Sequence, residues 1–524
     1  MRLSFALIVA CTLPPRPVPS TAPMRNVYSP GSSVRSCSTE AVMCWETTRT
    51  VARIASHGSV RDACQLAQWL STWLWKNATG IYRHDALEIA LLQRLDLAAP
   101  PALDAAATRK GAEIHLATEV YPFGGHTSLM RWLIHTADAS PEVLLTRMQD
   151  TSVAGQRLNL PASQVQSMPP SEEDVRSWVL LLAARLAGHQ RVVLHIHPND
   201  VLTALAVRVL RAQAPDVRIL FVNHADHAFS VGLGAAHRVL EISHFGWSLR
   251  SQRGSMTTST FMGIPIAQPS ELTPHITPTS PSRVQLLTGG SSYKFRPVQG
   301  MSLPAALGRL LRHQPYKVTV IGPRSRDWWW WPLRLRFPRR VQVVKLLPKE
   351  TYQQVLAHCS IYIDSHPLLG GTAFPEALMK GCNVSGLRGL AWGYSPSDEL
   401  IVDNVPAFIA QCTALAQGDP DALAAQAKVR ELCVQHHAPD RVRARMDQAW
   451  QSDALLAPPS TQAPPPRPEQ LEQHWALSDT SQVPSRKECP LSADNRRWLT
   501  HAHARMMGWG HRSTWSLLRN AFRT

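Results

Sequence analysis

The chain of 524 residues is 44% hydrophobic and carries a formal net charge of +16. This length exceeds what one hydrophobic core normally supports, so at least two domains are expected. The positive charge favours phosphate-bearing or other anionic partners and says nothing about the fold. The nine cysteines form no Cys-x-x-Cys pair, which argues against a disulfide framework and a structural zinc site and favours a reducing, cytoplasmic compartment.

Residues 1–50 are rich in Pro, Ser and Thr and are predicted to be a disordered leader. The opening MRLSFALIVAC also resembles a lipoprotein cleavage box, and a start site misassigned ahead of Met24 or Met43 is the other interpretation. No stretch of the sequence reaches the ~18–20 apolar residues of a membrane-spanning helix. A soluble or surface-bound protein is expected.

Two helices are predicted within 51–110. In VRDACQLAQWLSTWLW and DALEIALLQRL the apolar residues recur every three or four positions, which is the spacing of one helix face. The break between the two helices falls at 77–80. This segment is expected to be a small helical region ahead of the main domains.

Strand-like and helix-like segments alternate through two series that cover 111–270 and 283–450. The predicted strands are EIHLATEV, EVLLTRM, RVVLHIH and VRILFVN in the first series, and RVQLLTGG, KVTVIGP, VQVVKLL and SIYID in the second. This alternation predicts βαβ units and parallel sheets covered by helices. We therefore predict an α/β protein with two Rossmann-like domains, joined by the Pro/Ser/Thr-rich linker 267–282.

Composition changes again after residue 450. A Pro-rich linker is predicted over 451–490. It is followed by a tail over 491–524 with six Arg, one Asp and three Trp. This basic, aromatic tail is expected to be an accessory helix or a peripheral anchor to an anionic membrane surface.

The stretch DSHPLLGGTAFPEALMKGCNV begins at Asp364, directly after a predicted strand. Gly370 and Gly371 would let a phosphate approach the backbone at the start of a helix. Thr372 is expected to cap that helix and to donate to a phosphate oxygen. Glu376, one turn further, is placed to accept hydrogen bonds from ribose hydroxyls. An ordinary helix start with a solvated Glu is the alternative.

PLLGGTAFPEALMKGCNV resembles the nucleotide-sugar signature in the second domain of GT-B glycosyltransferases, and also the Gly-x-Thr-Thr turn of the O-GlcNAc-transferase-like branch. The resemblance implies the GT-B architecture, in which two Rossmann-like domains face a cleft, and a donor site that also includes His366. Leu368 stands where many retaining members carry an acidic residue, and Asn383 replaces the usual proline. The subfamily and the stereochemical outcome therefore stay open.

LLTGGSSYKFRP, over 286–297, ends the first strand of the second series. GT-B enzymes have a similar turn there, followed by a basic residue that pairs with the donor diphosphate. The resemblance implies a turn at Gly290 and Ser291 and assigns that pairing to Lys294 or Arg296, which would neutralise the leaving group. A solvated basic loop is the alternative.

EVYPFGGHTSLM, over 119–130, follows the first strand of the first series. It is similar to the GT-B glycine loop that faces the donor, and GGHT is similar to the Gly-x-His-x-x-Ser/Thr region of the O-GlcNAc-transferase-like group. The resemblance assigns Gly124 and Gly125 to the donor. His126 titrates near neutrality and is expected to orient the acceptor, bond the diphosphate or take a proton. An inert loop histidine is the alternative.

Two further stretches, LHIHPND and VNHADHAF, each close a predicted strand. Their polar residues are candidates for acceptor recognition: His197, Asp200, His224, Asp226 and His227. The spacing permits a metal site without being diagnostic of one, and no metal is expected because the resemblance implies metal-free phosphate binding. Structural packing is the other interpretation.

RDWWWWPLRLRFPRR, over 326–340, is predicted to be a cationic, aromatic hairpin or loop. Either a buried Trp cluster or docking at a membrane surface would explain it.

Together these features predict a glycosyltransferase that moves a hexose-type sugar from a nucleoside-diphosphate sugar to an unknown acceptor: a glycan, a lipid-linked molecule or a protein. The nucleotide sugar is a co-substrate, and no other cofactor is expected. One alternative is a nucleotide-sugar epimerase of the same fold. The other is a non-catalytic scaffold that binds anionic ligands, although no recognised nucleic-acid motif is present and no nucleic acid is expected.

Overall fold

The computed structural model describes residues 46–77, 79–103, 109–122, 124–138, 140–171, 173–266, 280–298, 300–459, 484 and 489–506. The predicted leader up to residue 45, most of the linker 267–282, most of 460–488 and the tail beyond 506 lie outside these described residues. Helical structure begins at 46, slightly before Val51, where order was expected to begin.

The first domain is built on a seven-stranded sheet in the order β3-β2-β1-β4-β5-β6-β7, with every strand pair parallel. Its strands are β1 Arg109–Ala117, β2 Glu142–Leu145, β3 Val165–Ser167, β4 His189–His195, β5 Arg218–Asn223, β6 Arg238–Glu241 and β7 Ser259–Phe261. The order reverses between β1 and β4, which makes that pair the topological switch point of the sheet.

The second domain is built on a six-stranded parallel sheet in the order β10-β9-β8-β11-β12-β13. Its strands are β8 Gln285–Gly289, β9 Lys317–Ile321, β10 Val341–Val344, β11 Ile361–Ile363, β12 Asn383–Leu387 and β13 Ile401–Val402. This is the 3-2-1-4-5-6 order of the Rossmann fold, and its switch point lies between β8 and β11. The predicted class, α/β with two Rossmann-like domains, is confirmed.

Helices cover both faces of each sheet. They are α1 (46–56), α2 Val60–Lys76, α3 Asp85–Arg94, α4 Gly125–His135, α5 Thr151–Leu158, α6 Val175–Ala187, α7 Val201–Gln213, α8 His244–Ser248, α9 Leu303–His313, α10 Trp331–Arg336, α11 Lys349–Ala357, α12 Ala373–Met379, α13 Val405–Gln417, α14 Pro420–His437, α15 Pro439–Gln451 and α16 Ala493–Met506. Strand residues alternate between the two faces, as their two-residue period requires. In β5, Ile219 and Phe221 pack toward α6 and α7, whereas Leu220 and Val222 pack toward α4 and α15.

The predicted helical region forms as α2 and α3, with α2 started by a capping box. The Ser59 side chain accepts from the Asp62 backbone N–H, and the Asp62 carboxylate accepts from the Ser59 N–H. Part of the C-terminal tail packs onto the same region. Asn495 donates to the Asp62 carbonyl at 2.9 Å, and Leu499 is buried in the first-domain core. The described part of the predicted tail is therefore a docked helix and not a free anchor.

Helix α15 crosses back from the second domain and packs on the first. Val442, Met446 and Trp450 lie in one apolar cluster with residues of α4, β4 and β5. The Arg443 guanidinium forms a bidentate ion pair with Glu113 of β1, with contacts of 3.0 and 2.9 Å. The second domain, predicted to run to residue 450, thus ends with α14, and α15 belongs to the first.

The segment predicted as a cationic hairpin or loop is helical. A 3-10 turn over Trp328–Trp330 runs directly into α10. Trp330 is buried, whereas Trp328 is 65% exposed, Trp331 50% and Leu335 80%. The buried Trp cluster that we considered therefore holds for Trp330 and not for its two exposed neighbours.

Among the described residues, no helix has both the length and the apolar character required to cross a membrane.

Candidate functional site

The two domains approach each other at the glycine loops predicted from the sequence. A Cβ atom built on Gly125 would lie 3.5 Å from Cγ2 of Thr372. At a second contact between the domains, the Phe245 N–H donates to the Gly393 carbonyl at 3.0 Å, and the rings of Phe245 and Tyr394 lie 5.9 Å apart. The loops that follow the carboxyl ends of the two sheets thus meet, and the region between them is called the cleft below.

On the first-domain side of the cleft, the His126 side chain is largely enclosed. Its Nε2 donates to the His195 carbonyl at 3.1 Å, and its Nδ1 is buried without a hydrogen-bond partner among the described residues. Its ring lies 4.1 Å from that of His224. Burial lowers the pKa of His126 to about 4. The ring is therefore neutral near pH 7.

Next to His126, the imidazoles of His224, His195 and His115 form a hydrogen-bonded row. Nε2 of His224 and Nδ1 of His195 are 2.8 Å apart, and Nε2 of His195 and Nδ1 of His115 are 2.9 Å apart. Nε2 of His115 is 2.9 Å from the Glu113 carboxylate, which is itself held by Arg443. His115 and His195 sit on β1 and β4, so this row lies at the switch point of the first sheet.

The pKa values of His195, His224 and Glu113 are all lowered, but for different reasons at the two ends of the row. Burial, together with the other imidazoles, holds the pKa of His195 and of His224 well below 6.5. For Glu113, burial alone would raise the pKa, but the bonds from His115 and Arg443 outweigh it and lower the pKa to about 2. Glu113 is therefore an anion throughout the physiological range.

The remaining acceptor candidates are engaged in bonds within the first domain. The Asp200 carboxylate accepts from the hydroxyls of Thr118 and Thr146 at 2.5 and 2.8 Å. His197 bonds Asn199 at 2.6 Å and packs edge-on against Trp75. We had predicted that all five candidates lie in one cleft, and the structure does not gather them there. Of the five, only His224 packs against His126.

Asp226 is also buried and bonded. Its carboxylate accepts from the Ser243 hydroxyl and lies 3.3 Å from Nδ1 of His227, and its backbone carbonyl accepts from Arg253. Arg253 in turn pairs with Glu241 inside the domain. This arrangement fixes α8 at the cleft edge and leaves little of the Asp226 carboxylate available for an acceptor.

On the second-domain side, Lys294 and Asp364 lie at the switch point between β8 and β11. Nζ of Lys294 donates to the Leu369 carbonyl at 3.1 Å. One oxygen of Asp364 accepts from the N–H groups of Ser365 and Gly370, at 2.7 and 2.9 Å, while the other is buried with no hydrogen-bond partner among the described residues. Burial raises the pKa of Asp364 to about 8 despite the opposing charge of Lys294, and burial lowers the pKa of Lys294.

The glycine turn before α12 differs in detail from our prediction. The Gly370 N–H is already used by Asp364, and a Cβ there would come within 2.9 Å of that carboxylate. Thr372 precedes α12 but its side chain makes no capping bond, and it is exposed. Its hydroxyl is consequently free for a ligand, as the phosphate role requires, although the predicted cap is wrong.

Glu376 is half-buried and paired within its own domain. Its carboxylate lies 2.9 Å from Nζ of Lys380 and 3.3 Å from Nε2 of Gln353. A ribose would have to share this carboxylate with both groups.

The other predicted donor residues divide into exposed and structural ones. Ser291 and Arg296 are exposed at the carboxyl end of β8. The close backbone approach at Gly290 depends on Gly322, whose φ is +111°, because a Cβ on Gly322 would lie 1.9 Å from the Gly290 carbonyl, whereas a Cβ on Gly290 would make ordinary contacts at 3.4 Å or more. His366 is buried, and Nδ1 lies 3.3 Å from the Leu387 carbonyl. Its position argues for packing and not for contact with a donor.

No group of three or more His, Cys, Asp or Glu side chains within the described ranges has an arrangement that would hold a metal ion. A pocket of about 350 Å³ beside α11 is lined by residues such as Gln285, Thr319 and His358. None of the predicted site residues lines it.

Sequence reasoning missed four residues of the site: Glu113, His115, His195 and Asp364. Glu113 and His115 stand two positions apart in a strand, which puts both on one face. In a parallel sheet that is covered on both faces, two such polar residues must be bonded internally. That signal was present in EIHLATEV. The partner Arg443, 330 positions away, gave no signal.

No protein-family model matches the sequence, and comparison with curated proteins finds no match. Among solved structures, the chain is similar to HepE of Anabaena in complex with UDP and glucose (13% identity over 65% of this chain and 99% of HepE, TM-score 0.47). A glycosyltransferase from Rickettsia africae matches at 11% identity over 66% of this chain and 99% of its own, with a TM-score of 0.49. A mutant O-GlcNAc transferase of Thermobaculum terrenum matches at 14% identity over 80% of this chain and 79% of its own, with a TM-score of 0.45. At these values nothing about the activity of this chain follows from the likeness.

Proposed function

We propose that this protein is a glycosyltransferase that moves a hexose-type sugar from a nucleoside-diphosphate sugar to an acceptor bound in the same cleft. One observation carries the proposal: the loops that follow the switch-point strands of the two sheets face each other, with Gly125 beside Thr372, and have different chemistry. Ligands of parallel α/β sheets bind at such switch points. The second domain offers cations and a free hydroxyl, whereas the first offers neutral imidazoles.

The donor belongs on the second domain. Lys294 and the exposed Arg296 follow β8, and the free Thr372 hydroxyl stands beside the glycine turn after β11. These groups suit a diphosphate, since cations and hydrogen-bond donors offset the charge that develops on the leaving group. Glu376, one turn into α12, is the group placed for the ribose hydroxyls.

The acceptor belongs on the first domain, where His126 and His224 border the cleft. Both rings are neutral near pH 7 because burial lowers their pKa values. A neutral imidazole can accept a hydrogen bond or a proton from an acceptor hydroxyl.

Binding of nucleoside diphosphates tests this proposal without knowledge of the acceptor. Calorimetry with UDP, GDP, ADP and dTDP should give saturable binding of at least one, and the corresponding nucleoside should bind much more weakly because it lacks the diphosphate. If none of the four binds the folded protein, the donor site is wrong.

We further propose that α10 and the turn before it form a peripheral contact with anionic membrane surfaces. This docking face consists of the exposed apolar residues Trp328, Trp331 and Leu335, together with four exposed arginines, Arg324, Arg326, Arg334 and Arg336. Trp suits the interfacial layer of a bilayer. Each Arg near an anionic surface contributes about 1 kcal/mol. The membrane contact that we expected of the tail 491–524 stays a prediction.

A further inference from the structure

The carboxylate of Glu113 fixes the direction of every hydrogen bond in the imidazole row. Glu113 is ionised and accepts only, so Nε2 of His115 must donate to it across 2.9 Å. Nδ1 of neutral His115 is then an acceptor, and Nε2 of His195 donates to it. By the same step, Nε2 of His224 donates to Nδ1 of His195.

One nitrogen lone pair, that of Nδ1 of His224, is left without a hydrogen bond at the end of the row. Nδ1 of His224 carries no proton when all three rings are neutral, and it has no hydrogen-bond partner among the described residues. His224 follows the carboxyl end of β5 and its ring lies against that of His126, the residue next to the interdomain contact at Gly125. The free end of the row therefore lies beside His126, whose neighbour Gly125 contacts the second domain.

We propose that Glu113, His115, His195 and His224 form a proton relay that takes up the proton released by the acceptor nucleophile. The acceptor oxygen bonds to the anomeric carbon as the bond from that carbon to the diphosphate breaks, and its proton passes to Nδ1 of His224. His224 then gives its Nε2 proton to Nδ1 of His195, and His195 gives its own Nε2 proton to Nδ1 of His115. The proton returns to solvent by the reverse path.

The positive charge is best placed at the inner end of the relay. His195 and His224 are buried among other imidazoles, which disfavours a cation on either of them. His115 instead lies against Glu113, and Arg443 is shared between Glu113 and Asp447, with the Asp447 contact at 2.8 Å. The three groups together carry a net charge of −1, so an imidazolium at His115 is the favoured product. Glu113 stays ionised, as the carboxylate of a catalytic triad does.

This relay rests on the proposed glycosyl transfer and adds to it the class of acceptor. A proton acceptor is needed only when the nucleophile must lose a proton, as a hydroxyl does. Glu113, His115 and His195 are positioning residues in this scheme, since only His224 lies at the cleft.

Nitrogen-15 NMR of the wild-type protein with labelled histidine tests the relay independently of activity. At pH 9 the three rings should be neutral with Nε2 protonated. On acidification, His195 and His224 should change together from the Nε2–H to the Nδ1–H form, with each ring staying neutral. An Nδ1–H form of His224 at pH 9, or a doubly protonated His195 or His224, would overturn the relay.

Two variants test the relay in the reaction. His195→Gln interrupts the row without touching Arg443, and Glu113→Gln keeps the shape while removing the charge. Each should lower turnover by about 10²-fold with little change in donor KM, the usual contribution of a general base. The matched control is Glu88→Gln, which alters a buried carboxylate bonded to Arg208, outside the relay. It should leave turnover unchanged.

Full turnover in folded His195→Gln protein would overturn the relay while leaving the glycosyltransferase proposal intact. If no transfer is found with any donor, the proposed function fails, and the NMR tautomers alone decide whether the relay exists.

Discussion

Gly125 of the first domain and Thr372 of the second meet across the cleft, with 3.5 Å between a Cβ built on Gly125 and Cγ2 of Thr372. The two loops predicted independently from the sequence are therefore opposite each other. A donor held at Thr372 would lie beside Gly125, the residue that precedes His126.

This contact gives the first prediction. Gly125→Ala should be nearly neutral, because a Cβ at 3.5 Å makes an ordinary van der Waals contact and Gly125 is not among the glycines with positive φ. Gly125→Phe should keep the fold but lower turnover by roughly ten-fold or more, since a bulky ring would hold the two loops apart. Steady-state kinetics and thermal unfolding of both variants provide the measurement. Equal turnover of the two variants would show that the gap between the loops has no role.

The donor site gives the second prediction. Lys294→Met should weaken binding of the nucleoside diphosphate by roughly 10-fold or more, because a hydrogen bond or ion pair to a charged group contributes about 1.5–3 kcal/mol. Glu376→Gln should weaken binding of the diphosphate and of the nucleoside alike, because its contact is with the ribose. Calorimetry with both ligands separates the two effects. Unchanged affinity in both folded variants would remove the donor assignment.

His126 gives the third prediction. His126→Ala should lower turnover by about 10² or more with little change in donor affinity, since it removes the ring that packs against His224. His126→Phe retains the ring and loses the bond from Nε2 to the His195 carbonyl. If turnover of His126→Phe lies between that of His126→Ala and that of the wild type, the ring has a positioning role. If the loss appears in donor affinity alone, His126 is a phosphate contact, and full turnover in His126→Ala would make it a bystander.

Asp364 gives a prediction about stability. Its pKa is raised from 3.8 to about 8 in the folded chain. Between pH 3.8 and about pH 8, Asp364 is therefore more protonated in the folded chain than in the unfolded chain. Its contribution to stability is complete below about pH 4 and is lost as the pH rises through about 8. Asp364→Asn cannot ionise, so its Tm relative to wild type should increase from pH 5 to pH 9 by at least ~2–4 °C, the equivalent of about 1 kcal/mol for a domain of this size.

The control for this effect is Asp150→Asn, at the exposed N-cap of α5, where Asn caps a helix as well as Asp does. Its Tm should follow that of wild type at both pH values. A constant difference between Asp364→Asn and wild type across this range would contradict the raised pKa.

The docking face gives the last of these predictions. Replacement of Trp328 and Trp331 by Ser should reduce flotation of the full-length protein with phosphatidylserine-containing vesicles, because both side chains are at least half exposed and bury little in the fold. High salt should weaken binding of the wild type, since the arginine contribution is screened. Flotation of the protein truncated after residue 506 measures how much the removed residues contribute to vesicle binding. Equal flotation with neutral phosphatidylcholine vesicles, or none with either, would refute the contact.

The main elements followed from the sequence because their signals are local. The strand β4 is an uninterrupted apolar run at Val192–Leu194, and α2 combines helical spacing with a capping box. The strands β3, β6, β7, β12 and β13 were missed, and each has only two to five residues. Helix α15 was assigned to the wrong domain because its own pattern does not indicate which sheet it packs against.

The site was predictable only where ligand chemistry imposes a local motif. The turns near Gly125 and Gly371 were predicted in this way, and the structure brings them together. The row from Glu113 to His224 depends on three strands coming together and on Arg443 from the end of the second half, so no single segment shows it. The expected phosphate contact of Thr372 stays a prediction, and its expected capping bond is absent because that bond depends on a local backbone geometry that the sequence does not specify.

The most direct test of the central claim is release of nucleoside diphosphate from a panel of nucleotide sugars, with and without added hydroxyl acceptors, by the full-length protein. We predict release from at least one donor, stimulated by an acceptor, lost in Lys294→Met and retained in Glu88→Gln. Conversion of a nucleotide sugar to its epimer without release of the diphosphate would instead identify an epimerase. Neither release nor conversion with any donor, from protein that is folded, would contradict the proposed function.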